Sequence, residues 1–367
     1  MIKRNALGFV LASLAGTANA GLYSIELLPN RLGEGQVHFS SINDHGVIAG
    51  DSFSGTSGVI SKQVVTYRRD QGTTVVIDNL HHDYLSRGVH INNSGQIAYT
   101  HNLRPGVSYD LVRTYRYTPG VGTEMLSPPN PNLAYTPISM NNRGDIVVNA
   151  ATPDGWFQNS VIWRQGQEPE VLNGSYWAFS ITDNRTIVGA TPISGFVRRE
   201  GESPILVHFP TTNGRVYQMN SSGKMIGAYR DLAGISHTWI LDADLQGHIE
   251  VPTNGGFFLN DGSITGASRP GTPLFHSLGR WTAENGFEEI TQMLDSDALA
   301  HGFDRWGVID VNQRGEILAT AWTYDPNNEF YEPKFNIILR PHPVPEPGTV
   351  LALGAGLAAL LRRKRTT

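Results

Sequence analysis

Seven times along the chain an apolar residue leads into a short polar stretch, usually ending in glycine, and the chain then turns apolar again. The copies read SINDHGVIAG (41–50), HINNSGQIAY (90–99), SMNNRGDIVV (139–148), SITDNRTIVG (180–189), QMNSSGKMIG (218–227), FLNDGSITG (258–266) and DVNQRGEILA (310–319). Each predicts a β-hairpin. An apolar residue (Ile42, Ile91, Met140, Ile181, Met219, Leu259, Val311) closes the first strand, and Asn or Asp side chains bond the local backbone. Glycine then supplies the positive φ of a tight turn, and the return strand is expected to alternate, as in Ile48–Gly50. The turn glycines are residues 46, 95, 144, 223, 262 and 315, with Arg185 in the fourth copy. That fourth turn is expected to relax or to use Asn184, and the sixth copy reads one residue short.

A second alternating element follows most turns, as in VVTYRRDQG (64–72), VRTYRYTPG (112–120), SVIWRQGQE (160–168) and LGRWTAENG (278–286), usually with an apolar return. One unit is therefore two hairpins, about four short antiparallel strands in roughly 40 residues, which is the period of a propeller blade. The fold class is all-β, a seven-bladed β-propeller over residues 21–341. An open solenoid with capping strands and a six-bladed ring with one irregular unit are the alternatives. YSIELL (23–28) and FNIILR (335–340) flank the repeats and are expected to join the seventh unit and close the ring. Trp163, Trp239 and Trp281 recur at one position of the second element, which predicts packing between blades. TYDPNNEFYEP (323–333) is expected to loop from one face.

The ends read differently. Lys3 and Arg4, the apolar run 6–15 and Ala18-Asn19-Ala20 form a signal peptide over residues 1–20. Residues 342–367 form a tail: VPEP, an apolar run from Val350 to Leu361, and Arg362, Arg363, Lys364 and Arg365. Twelve apolar residues make a helix of about 18 Å against a bilayer core of about 30 Å, which suits a transient span with its basic end in the cytoplasm. This tail, on Val344, Pro345, Glu346 and Pro347 and the basic cluster, resembles the PEP-CTERM sorting signal of Gram-negative bacteria. The resemblance implies an exosortase-type processing enzyme as partner, transient inner-membrane contact, and then a place at the cell surface or outside the cell. The hairpins, INNSGQIA (91–98) above all, with VIWRQGQ (161–167), resemble the HAF repeats of extracellular proteins, although the His-Ala-Phe lead is absent. That family brings no catalytic residues to transfer.

Composition narrows the chemistry. No cysteine means no disulfide, thiolate nucleophile or cysteine-held metal, so stability must come from apolar burial and backbone pairing. The net charge of −5 becomes −7 without Lys3 and Arg4, and −11 without the four basic tail residues as well. This argues against a nucleic-acid partner. His81, His82, Asp83 and Tyr84 are the densest polar cluster, but neighbouring histidines on a strand face opposite ways and no third ligand stands at a metal-binding spacing. Asp242 and Asp244 suggest a calcium loop that lacks its further oxygen positions, so no cofactor is assigned. Carboxylate pairs for glycoside hydrolysis could come from Glu34, Asp44, Asp110, Asp145, Asp183, Asp261, Asp304 and Glu316, and sequence alone selects no two of them. Trp156 and Trp322 fall outside the repeated tryptophan position and, with His81, His82 and Asp83, are the candidate surface-binding residues. The reading is a non-enzymatic surface or matrix protein whose ring binds a polysaccharide or a protein. A secreted propeller glycoside hydrolase or polysaccharide lyase is the alternative.

Overall fold

The structure is a computed structural model that describes residues 23–342, apart from 55–60, 82–87, 103–111, 269–277, 324–334 and positions 153, 175, 212, 246 and 254. After β1 (Tyr23–Leu27), blade 1 consists of β2 (Arg31–Leu32), β3 (Gly35–Ile42), β4 (Ile48–Ser54), β5 (Ser61–Arg68) and β6 (Gly72–His81). Blade 2 is β7 (His90–Ile91), β8 (Ile97–Asn102), β9 (Val112–Thr118) and β10 (Gly122–Met125). Blade 3 is β11 (Ala134–Met140), β12 (Ile146–Ala151), β13 (Phe157–Trp163) and β14 (Glu170–Leu172). Blade 4 is β15 (Trp177–Ile181), β16 (Ile187–Ala190), β17 (Gly195–Arg198) and β18 (Ile205–Val207). Blade 5 is β19 (Arg215–Met219), β20 (Met225–Arg230), β21 (Ser236–Leu241) and β22 (His248–Val251). Blade 6 is β23 (Phe257–Phe258), β24 (Ile264–Ala267), β25 (Gly279–Thr282) and β26 (Gly286–Glu289), followed by a 3-10 turn (Ile290–Met293) and the single-turn helix α1 (Ser296–Leu299). Blade 7 is β27 (Arg305–Val311), β28 (Ile317–Trp322) and β29 (Phe335–Pro341).

Ring closure follows the expectation. β1 lies antiparallel on β29, from Tyr23 opposite Pro341 to Leu27 opposite Ile337, so the first strand supplies the outer edge of the last blade. The arrangement is a seven-bladed propeller.

The core is divided into seven apolar layers, one between each pair of neighbouring blades. Residues Ile146, Val148, Val161 and Trp163 face blade 2, while Val147 and Ile162 of the same two strands face blade 4. A strand covered on both faces needs no polar face, which is why the return strand reads IVV or ILA rather than alternating as predicted. Trp163, Trp239 and Trp281 are each buried in one of these layers, as their repeated position predicts.

Two irregular copies of the repeat resolve differently from the sequence reading. Arg185 itself takes the left-handed conformation (φ 62°), rather than leaving that to Asn184, and the turn keeps the geometry of its glycine-bearing counterparts. The sixth copy is full length: Phe258 pairs with Ile264 as Ile42 pairs with Ile48. Leu259 therefore stands where most copies carry Asn, not where they carry Ile. An apolar residue in a polar slot shifted the alignment by one position.

The inner strands of five blades also carry a register shift just before the turn, at Phe39/Ser41, Pro137/Ser139, Ala178/Ser180, Val216/Gln218 and Val308/Asp310. Close approach at this bulge explains the second glycine of some copies. A Cβ on Gly50 would lie 2.1 Å from His38 O, and one on Gly189 would lie 1.9 Å from Trp177 O.

Candidate ligand-binding channel

The seven inner turns meet around the axis, and their polar residues bond from blade to blade in three tiers. In the first tier the turn Asn caps its own loop and reaches to the next blade. Asn92 Oδ1 accepts from the amides of Ser94 (3.1 Å) and Gln96 (3.0 Å), while its Nδ2 donates to Asn141 O (3.0 Å). Asn43 donates likewise to Asn92 O, Asn141 to Thr182 O, Asn220 to Leu259 O and Asn312 to Asn43 O. Thr182 and Leu259 hold the same slot without an amide to donate.

In the second tier the residue after that Asn accepts from the preceding blade's backbone. Asn93, Asn142, Asp183, Asn260, Gln313 and Asp44 each accept a backbone N–H at 2.7–2.8 Å. In the third tier, Asp310, Ser41, Ser139 and Gln218 accept from the amides of Ile42, Ile91, Ile181 and Phe258. The recurrent turn is thus a fastening between blades as well as a hairpin.

These tiers enclose two adjoining chambers. The outer one, about 600 Å³, is lined by the turn residues, with Asp44 and Asp183 among them. The inner one, about 570 Å³, is lined mainly by residues of the inner strands, with Ala228, Ser236, Gly255 and Gly256 in or beside blade 5, and the two share Ile42, Ile91, Ser139, Met140, Ser180 and Gln218.

Asp310 and His90 both line the inner chamber. Burial inside the ring lifts the Asp310 carboxyl to about 6. The amides of Ile42 and Val311 and the Ser41 hydroxyl oppose that rise, and the charge of Asp44 adds to it. Burial lowers His90 to about 4, against its 3.3 Å bond to Pro137 O, so Nε2 carries the proton and donates at neutral pH. Both side chains are half-buried, and the protein packed around them displaces part of the solvent that would stabilise their charged forms. Phe179 and Tyr217, the bulge residues of blades 4 and 5, line the same chamber and stack at 5.6 Å between ring centroids, 26° apart.

Several of the sequence-selected acids are tied to neighbouring side chains or backbone amides. Asp44 and Asp183 are held by neighbouring turns. Asp145 binds Asn141 and Arg185, and Glu316 binds Asn312, Arg314 and Arg340. Asp261 holds Ser263 and Arg280. Glu34 and Asp304 are exposed elsewhere on the surface, and Asp110 lies outside the described residues.

His81 ends β6, but its side chain, with His82 and Asp83, lies outside the described residues. Trp156 is 72% exposed on the turn between β12 and β13, whereas Trp322 ends β28 on the far-removed blade 7 and is half-buried, so they do not form one site. Among the described residues no group of three or more His, Asp or Glu is placed to hold a metal ion. No helix among them is long and apolar enough to cross a membrane, and the Val350–Leu361 run lies outside them.

Asp310, His90, Phe179 and Tyr217 were missed by sequence reasoning. Asp310 and His90 are the titratable residues at a repeat position otherwise filled mainly by Ser and Gln, a departure visible in the aligned copies.

No curated protein matches the chain in sequence. Solved structures match in fold. The propeller domain of the Trilobed protease from Pyrococcus furiosus, described as having an open velcro topology, is similar with TM-score 0.53, 8% identity, and coverage of 82% of this chain and 93% of that one. An oligogalacturonate lyase in complex with manganese is similar with TM-score 0.50, 9% identity, and coverage of 88% and 98%. An acylaminoacyl peptidase from Pyrococcus horikoshii is similar with TM-score 0.51, 10% identity and 82% coverage of this chain, which spans only 53% of that protein's length. Residues 343–365 match the PEP-CTERM protein-sorting motif, a substrate signal for exosortase processing, and with the ring they mark an exported protein of propeller fold.

Proposed function

We propose that this exported ring is a non-enzymatic cell-surface or extracellular-matrix protein that holds a polysaccharide or an envelope protein. The observation that carries the reading is how the channel's polar groups are used. The rim carboxylates Asp44 and Asp183 are engaged by neighbouring turns, while the channel wall offers mainly aromatic rings, hydroxyls and amides, with Asp310 on blade 7 and His90 on blade 2 as its acid–base groups. An enzyme needs two ionisable groups converging on one bond, whereas a binder needs a rigid surface of such neutral groups.

In this reading residues 1–20 are the leader, 21–341 the working domain and 342–367 the tag. The 350–361 run holds the chain briefly in the inner membrane, and processing then releases it to the surface. The likeness of the hairpins to HAF repeats belongs to the same picture.

One observation favours the alternative of a hydrolase or lyase. Asp310 is lifted toward neutrality, as in carboxyls that act as general acids. The test is to incubate the purified protein with the extracellular polysaccharide of its own cells, following retention and chain cleavage together. Retention without cleavage is expected. Turnover would replace this reading with the enzymatic one, and neither retention nor turnover would remove the polysaccharide from both.

A further inference from the structure

We infer that the inner chamber is a binding site for an uncharged sugar residue, seated on the Phe179–Tyr217 pair and selected against uronic acids. The inference rests on the binding role proposed above and names both the place and the ligand class.

The aromatic pair is the first reason. Phe179 and Tyr217 stand on adjacent blades at the bulged position, and the stacked rings line a chamber of about 570 Å³. That volume falls in the ~300–1,000 Å³ range of small-molecule pockets. Neither residue belongs to any of the seven apolar layers, and Tyr217 is 41% exposed although it stands on an innermost strand. Packing between blades therefore does not account for the rings. Aromatic faces carry negative quadrupole charge and attract the polarised C–H face of a pyranose.

The polar lining is the second reason. The hydroxyls of Ser40, Ser180 and Ser236 and the Gln218 amide, whose oxygen accepts from Phe258 N, line the same chamber and offer partners for a sugar's hydroxyls. The third reason is charge. Among the described residues lining this chamber there is no Lys or Arg, and Asp310 is its one carboxyl group. A uronate would bring its own negative charge into the chamber that holds Asp310, with no Lys or Arg among its described lining residues to compensate. A neutral sugar meets no such penalty.

The experiment titrates the purified full chain, by calorimetry and saturation-transfer NMR, with cellotriose, maltotriose and mannotriose. Trigalacturonate and choline serve as the anionic and cationic comparisons. At least one neutral trisaccharide should bind about tenfold or more tighter than either comparison, and Tyr217→Ala should weaken it about tenfold, as expected for a central aromatic anchor. Tyr217→Phe keeps the ring and should bind within about threefold of the parent. Unchanged melting temperatures would show that both variants are folded. The assignment is overturned if no neutral trisaccharide binds, if trigalacturonate or choline binds as tightly, or if Tyr217→Ala and Phe179→Ala both leave binding intact. Polymer retention that survives Tyr217→Ala would remove the chamber and leave the scaffold reading in place. Tyr217-dependent trisaccharide binding without polymer retention would do the reverse.

Discussion

Arg185 and the channel pair Asp310 and His90 show how single side chains bend the rules of the repeat. A non-glycine residue in the left-handed region costs about 1–2 kcal/mol. At Arg185 the cost is offset because its guanidinium reaches the buried Asp145 at 2.8 Å and Glu200 at 2.7 Å. Arg185→Gly should relieve the backbone yet lower the midpoint of urea unfolding, because the buried Asp145 loses its cation partner. A gain in stability would mean that the ion pairs contribute nothing.

Asp310 and His90 carry opposite pH signatures. The Asp310 value is raised in the folded state, so its contribution to stability declines as pH rises from about 4 to about 6. His90 is lowered, so its contribution is complete above its ordinary value and is lost as pH falls toward 4. The two slopes oppose each other in the parent protein. In Asp310→Ser, which copies the residue of blades 1 and 3, stability relative to the parent should rise between pH 4 and 6 by on the order of 1–2 kcal/mol. His90→Gln should change the profile in the opposite sense. Thermal melts across pH 4–7 measure both, and identical profiles for parent and variants would refute the shifts.

At the scale of the element, the hairpin turn has two duties. Its Asn satisfies the donors of its own loop and also ties two blades together, so removing it should cost more than a loop cap alone. Asn92→Ala strands the Gln96 amide and the Asn141 carbonyl in a buried setting and also frees the Ser94 amide at the surface, and should cost about 3 kcal/mol. Thr182→Ala should cost only about 1 kcal/mol, because Thr182 caps its turn but donates nothing to blade 5. Chemical unfolding of the two variants side by side checks the difference, and equal losses would reduce the Asn to a local cap.

For the whole molecule, stability depends on closure between blades 7 and 1. β1 supplies a backbone ladder to β29 and also Glu26, which accepts from the Tyr67 hydroxyl of blade 1 (2.6 Å) and from Arg340 Nε (3.0 Å). Asn336 of blade 7 donates to Val37 O of blade 1 at 2.8 Å. Both ends of the ring emerge beside the turn of blade 7, where Tyr23 pairs with Pro341. Deleting residues 21–28 should cost at least about 3 kcal/mol from the lost burial of Tyr23 and Leu28, and should promote association through the bared edge of β29. Thermal melting with size-exclusion chromatography reads both effects. A monomer with the parent's melting temperature would show that the ring closes without its first strand.

Much of this architecture was legible in the sequence because it is written locally and repeatedly. A polar turn every 38 to 53 residues and a paired aromatic strand are short-range signals, and seven repetitions separate them from chance. The strands at the two ends announced themselves as unpartnered apolar runs, and the sorting tail is a linear motif that needs no fold to be read. Tertiary structure decided what depends on neighbours far away in the chain. Only the assembled ring shows that Leu259 occupies an Asn slot, that Arg185 bears the left-handed turn, and that the return strands are covered on both faces. It also brings Asp310 within 2.8 Å of the amide of Ile42, 268 residues distant, and sets Phe179 against Tyr217 across two blades. The physical reason is that turn and strand preferences act over a few bonds, whereas a channel exists only where seven separate hairpins share an axis. The chemistry of its wall belongs to no single copy.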